Sequence, residues 1–300
     1  MATMVAVGST MTMASTATAV TLKVSLENLG PNGGALVTPL WFGFHDGSFD
    51  TFNPGAIASS GIEHLAEDGF SGLEANVPGF VNLAVAAGLD LNKVPPPNST
   101  ISGLFAASSA GMNGGVQGLL LPQTINANGL GFFPGQSNTT TIQVDDSARN
   151  RFFSYGAMVI PTNDAFISND NPIEIFDSQG KFIGADLIVQ GNQVWDAGTE
   201  VNDESPSSFA TLPNFGNGIP ENGVVRIHPG LKPPGTGGYL DLEVGGKRIF
   251  ANADFKAPGY QVARITVTEV PESVPEPATT SGLLALAGLF TLRRRVAARL

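Results

Sequence analysis

The sequence predicts an all-β protein, an antiparallel β-sandwich with one or two short helices and long loops. Three observations carry that prediction. The 37 glycines and 21 prolines among 300 residues fall as punctuation between short apolar runs, which is the spacing of strands and turns. The segments that open and close the body both alternate apolar and polar side chains with period two. No regular alternation of strand with helix, the mark of a parallel sheet, runs along the chain.

In chain order, "TLKVSLENLG" sets Leu22, Val24 and Leu26 against Lys23, Ser25 and Glu27, a half-buried strand closed by a turn at Gly30-Pro31-Asn32-Gly33. Further strand candidates are "GALVTPLWFGF", "TTTIQVDD", "FFSYGAMVIP", "PIEIFD", "FIGADLIVQ", "VVRIHPG" and "GYLDLEVGG", each bounded by Gly, Pro, Asn or Asp. The last strand, "QVARITVTEV", puts Ala263, Ile265 and Val267 on one face. Helical signal is confined to "SSGIEHLAEDG", with Ser59 or Ser60 as N-cap and Gly69 as stop, and to "FVNLAVAAGL". Residues 92–138, rich in Pro, Ser, Asn and Gly, read as a long loop or insertion, and no internal repeat is present.

A hydrophobic content of 42% supplies a core, and the absence of cysteine excludes disulfides, thiol catalysis and thiolate metal sites. The net charge is −11, but Arg293, Arg294, Arg295 and Arg299 stand at the far C-terminus; without them 11 bases face 26 acids, a net charge of −15. Such a body repels phosphate backbones and attracts divalent cations, so nucleic acid is not an expected partner.

Both ends read as targeting segments. Residues 1–19 are small and mildly apolar and end in Ala17-Thr18-Ala19, an A-x-A cleavage site without a basic start, and are expected to be a partial signal peptide. The body then spans 20–269, and 270–300 is a linker and tail. In the tail, Val274-Pro275-Glu276-Pro277 precedes an apolar stretch at about 282–292 and a basic end at 293–299. The stretch is shorter than the ~20 residues of a permanent membrane span, and the arginines would hold its end at the cytoplasmic face. This layout resembles the PEP-CTERM sorting tail of Gram-negative bacteria. The resemblance implies transient membrane insertion and processing by an exosortase, leaving an exported protein at the cell surface or in the extracellular matrix.

Candidate chemistry concentrates in "WDAGTEVNDE", residues 195–204, four acids in ten positions. A charged loop is ordinarily a solvated one, and the alternative is that some of these carboxylates converge on a cation. Asp196 and Glu200 can both face inward if Gly198 lets the chain turn, with a third acid from a neighbouring loop closing the site. Elsewhere, His45 beside Asp46 reads as a structural histidine at a strand end, there is no Gly-x-Ser-x-Gly, and His64, Glu67 and Asp68 lack the second histidine of an H-E-x-x-H zinc helix.

Several ordered segments resemble the spondin N-terminal domain of F-spondin and mindin. They are "VSLENLGPNGGALVTPLWFGFHDGSFDTFNPGAIASSGIEHLAEDG", "PTNDAF" (the family's "PSPDWF"), "VWDAGTEVND" (its "YDAGTDSG") and "ARITVT", together spanning nearly all of residues 22–268. The resemblance implies an antiparallel sandwich serving extracellular matrix and adhesion, with Ca²⁺ held by Asp164, Asp196 and Glu200. Glu200 stands where the family has Asp, and Phe166 where it has Trp. Asn163, Asp170, Asp203 and Glu204 are expected in solvated loop. The expected function is an exported, calcium-binding, non-catalytic adhesion or matrix-associated module, whose surface or matrix ligand includes polysaccharide among the candidates. The alternatives are an exported hydrolase of polysaccharide or ester, and a purely structural matrix subunit.

Overall fold

The computed structural model describes residues 19–123, 131–206 and 214–271. One compact unit reaches Val270 and a second begins at Pro271. Residues 1–18 of the expected signal segment lie outside the described residues, as do the motifs Val274-Pro275-Glu276-Pro277 and Arg293-Arg294-Arg295.

The protein is mostly β, with every strand pair antiparallel. Its first half runs β1 (Val20–Asn28), β2 (Leu36–Val37), β3 (Leu40–His45), α1 (Ser60–Asp68), α2 (Phe80–Ala86), α3 (Ile101–Ala107), α4 (Ser109–Met112), β4 (Val116–Leu120) and β5 (Ser137–Val144). The second half runs β6 (Phe152–Ile160), β7 (Ala165–Ser168), β8 (Ile173–Glu174), β9 (Ala185–Gln190), β10 (Trp195–Asp196), β11 (Arg226–Ile227), β12 (Glu243–Val244), β13 (Lys247–Arg248) and β14 (Gln261–Glu269). One sheet has the order β5-β1-β14-β9; the other has the order β11-β10-β7-β6-β3-β4, with β2 and β8 also paired to β6. The first and last strands lie side by side, Val24 opposite Val267 and Leu26 opposite Ile265.

Period-two alternation explains the first sheet. Leu22, Val24 and Leu26 face Phe42, Phe44, Phe153 and Val159 in the inter-sheet core, while Lys23 and Glu27 stay in solvent. Burying one such aliphatic side chain contributes about 1.5–3 kcal/mol. The second sheet departs from alternation because it is covered twice. All of "LWFGFH" in β3 is buried, one face against the first sheet and the other under α1 and α3, where Trp41 meets Phe49 and Phe105.

The N-cap and stop of α1 are those expected: the Ser59 hydroxyl accepts from the Ile62 amide, and Gly69 closes the helix at φ 66°. Two glycines let the helix layer close. A Cβ on Gly156 would fall 2.7 Å from Leu65 Cδ2, and one on Gly61 would fall 2.8 Å from the Ile101 Cα.

Three expectations need correction. The stretch 92–138 is not one long loop: it holds α3, α4 and β4 among its described residues. Its Gly and Ser content hid elements that depend on tertiary contact, such as β4 paired along β3. For the same reason the described residues hold four short α-helices, where one or two were expected. "GYLDLEVGG" is no single strand; a 3₁₀ turn at Tyr239–Asp241 leads into the β12–β13 hairpin. The Asp241 carboxylate accepts from the Gly235 and Gly237 amides, which curls the chain before it can extend.

Candidate functional site

The register of β7 against β10 sets up the site. Ala165 lies opposite Asp196, and the ladder continues with the Ala197 amide donating to the Asp164 carbonyl at 3.0 Å. The "PTND" turn and the 196–200 loop are therefore neighbours, although 32 positions separate Asp164 from Asp196. Gly198 turns the loop at φ +69°, and a Cβ there would lie 2.7 Å from Val224 backbone atoms. Conformation and space both require glycine at this position.

Asp164 is fully buried. Its Oδ2 accepts from the Thr199 amide at 2.8 Å and the Glu200 amide at 3.1 Å, with the Thr199 hydroxyl at 3.4 Å. Its Oδ1, also buried, has no hydrogen-bond partner, the one such side-chain atom among the described residues. Asp196 is equally buried but satisfied: Oδ1 accepts from the Gly198 amide at 2.8 Å, and Oδ2 from Asn202 at 2.7 Å and Arg226 at 3.3 Å. Glu200 is 6% exposed, and its carboxylate lies directly over Gly218, in space a side chain there would fill.

The Asp196 contacts are themselves held in place. The Gly230 amide donates to His228 Nδ1 at 3.0 Å, so Nε2 carries the proton and donates to Asn202 Oδ1 at 3.0 Å. That bond turns the Asn202 amide nitrogen toward Asp196. Burial, and then the charges of Lys256 and Arg226, lower the His228 pKa to about 3 and keep the ring neutral.

Two further acids reach the site from the last turn of α1. Glu67 is half-buried there, and its charge acts on Glu200. Asp68 accepts from the Gly216 amide at 2.9 Å. Burial is the first cause of raised pKa in all four unneutralised acids, and the neighbouring carboxylates add to it. Glu200 rises to about 9, Glu67 to about 8, and Asp68 and Asp164 to about 6. Hydrogen bonds to Glu67, Asp68 and Asp164 oppose the rise without cancelling it. Basic side chains act at the flanks, Lys93 beside Asp68 and Arg226 on Asp196. As the side chains stand, no three His, Cys, Asp or Glu among the described residues are grouped closely enough to hold a metal ion.

The structure thus brings Asp164, Asp196 and Glu200 to one locality and adds Glu67 and Asp68. The signal for those two was "LAEDG", whose helix stop at Gly69 puts both acids in the last turn; nothing local says which loop that end meets. Asn163 and Glu204, expected in solvated loop, are buried, while Asp170 is exposed. The Asn163 Oδ1 accepts from the Glu204 amide, and the Glu204 carboxylate accepts from the Lys232 amide at 2.5 Å and the Tyr239 amide at 2.8 Å. Glu204 is a structural anchor for the 231–241 loop.

His45 accepts from the Gly47 amide through Nδ1 at 3.1 Å and meets Ser154 Oγ through Nε2 at 3.0 Å. Asp46 turns instead to Ser48, so the two form no acid–base pair. No helix among the described residues is long and apolar enough to cross a membrane. A scan against protein-family models finds no match for this chain, and neither does a search of curated proteins.

Proposed function

We propose that this chain is an exported, calcium-binding, non-catalytic adhesion or matrix-associated module, with its cation at Asp164, Asp196 and Glu200. The carrying observation is the buried, unpartnered Oδ1 of Asp164 within a group of carboxylates that raise one another's pKa. Calcium takes six to eight oxygens at about 2.3–2.6 Å, and a carboxylate oxygen keeps a lone pair after accepting one hydrogen bond. Asp196 would therefore contribute through Oδ1 without releasing Gly198. The ordered spondin-like motifs support the same reading, because the two segments matched to the family's ligand loops are neighbours here.

Exposed aliphatic side chains flank the acids. Ile57, Val201, Ile219 and Val224 lie on segments that hydrogen-bond to one another or to the 198–200 loop. Apolar surface beside a charged site is the chemistry of a binding rim. The tail reading belongs to the same proposal: exosortase processing after transient membrane insertion would release the body to a surface or matrix ligand.

Calorimetric titration with calcium tests the site, and heat of binding with a rise in melting temperature is expected. No heat and no thermal shift up to millimolar calcium, with the protein folded, would overturn it. The intact mass of the protein from its native host tests the tail; a mature form ending at Leu300 would defeat that part. The competing reading is an exported hydrolase of polysaccharide or ester. Turnover of a polysaccharide or ester panel, abolished by one carboxylate substitution, would replace the binding reading with that one.

A further inference from the structure

The first sheet ends on β5, which among the described residues pairs with β1 alone. The parity of that pairing fixes which backbone groups of β5 are free. The Asn28 amide donates to the Gln136 carbonyl at 2.9 Å on the β5 side of β1, and the Val270 amide donates to the Thr21 carbonyl at 2.8 Å on the β14 side. Even-numbered residues of β1 therefore point their amides and carbonyls at β5, and odd-numbered ones at β14. Asn138, Thr140, Ile142 and Val144, opposite Leu26, Val24, Leu22 and Val20, use theirs on β1. Ser137, Thr139, Thr141 and Gln143 turn theirs outward, and all four residues are exposed.

The other edges of the two main sheets are blunted. Strand β11 is two residues long, β9 carries Asp186 in an ion pair with Arg264 at 2.6 Å, and the Val116 amide of β4 is taken by Asn150 Oδ1 at 3.2 Å. Strand β5 has none of these devices: "SNTTTIQV" is eight residues without a charge, a proline or a glycine. It offers no counter-charge to a charged strand and no repulsion to a second copy of itself. One antiparallel register sets all four outward residues against one another, Ser137 opposite Gln143 and Thr139 opposite Thr141, about a twofold axis at Thr140. Each pair exchanges two backbone hydrogen bonds, facing threonines add a hydroxyl contact, and Ile142 falls opposite Asn138 on the core side.

We propose that β5 is a homodimerisation edge, through which two copies of this chain join their four-stranded sheets into one continuous sheet. The proposal is independent of the calcium reading. Two copies of the acidic locality on one dimer would grip a repetitive ligand with avidity that neither has alone.

Sedimentation equilibrium of the full chain, up to about 1 mM, tests this for wild type and three variants. Wild type should dimerise, and more tightly as salt rises, because the β5 edge has no charge to screen while each chain carries a net charge of −11. Thr139→Lys with Thr141→Lys sets like charges opposite each other and should weaken the dimer by about tenfold or more; Thr139→Lys with Thr141→Glu sets opposite charges there and should keep it within about threefold. Ile188→Lys, on the exposed face of β9 at the far edge of the same sheet, should leave it unchanged. Exchange of the Thr139 and Thr141 amides should slow as wild-type concentration rises. A monomer at every concentration would overturn the proposal, as would a dimer that ignores the β5 charges, yields to Ile188→Lys or dissolves in salt. The substituted side chains are exposed, and circular dichroism establishes that each variant folds.

Discussion

The Thr199 amide donates to Asp164 Oδ2 at 2.8 Å, while Oδ1 of the same fully buried carboxylate has no partner. One oxygen is thus fixed by the loop and the other is left for something the chain itself does not supply. An unsatisfied buried group costs about 1–3 kcal/mol, more when charged, so a cation bound there adds directly to stability.

Calcium should raise stability by RT ln(1 + [Ca]/Kd), about 2.7 kcal/mol at a hundred times Kd. Asp164→Asn should abolish that gain. Asp196→Asn should weaken it less, since the Asp196 oxygens are already satisfied within the protein. Melting curves with calcium and with chelator, at constant ionic strength, check both.

Without calcium, stability should fall as pH rises from about 4.5 to 9, because the raised folded pKa values of Asp68, Asp164, Glu67 and Glu200 outweigh the opposing histidines. Glu67 and Glu200 have folded pKa values raised from 4.5 to about 8 and 9, so their contribution is complete below pH 4.5 and lost as pH rises toward those values. His45 and His228 have folded values lowered from 6.5 to about 4 and about 3, so their contribution is complete above pH 6.5 and lost as pH falls through that window. Urea midpoints measured from pH 4 to 9 with chelator should trace this fall, and saturating calcium should reduce it.

His228→Ala should destabilise the protein by about 1–3 kcal/mol, because it leaves the Gly230 amide and the half-buried Asn202 side-chain carbonyl without their partner. Chemical denaturation should show a lower midpoint at unchanged slope. Calcium affinity should also fall, since Asn202 would no longer be held toward Asp196.

Gly198→Ala should cost more than about 1 kcal/mol, combining a positive φ with a clash against the Val224 backbone. Gly55→Ala also sits at positive φ, 81°, but has open space around it. The smaller loss expected there separates steric clash from backbone strain in the same thermal assay.

Local pattern by itself determined β1, β14 and the capped helix α1. Alternation, a serine N-cap and a glycine stop are satisfied within a few residues, and burial then follows from which face is apolar. Local pattern also located the acids: Asp164 after a Pro-Thr-Asn turn, Asp196 and Glu200 around a glycine. Tertiary structure alone decided which of them carry unmet charge. Asp196 is neutralised by Arg226, thirty positions on and reached through the β10–β11 pairing, whereas Asp164 keeps an unpartnered oxygen. It decided, too, that Glu204 is buried and anchored by the Lys232 and Tyr239 amides, and that the end of α1 delivers Asp68 to the Gly216 amide. A carboxylate's pKa and partners depend on burial and on charges brought from other elements, and neither quantity is a property of the residues beside it in the chain.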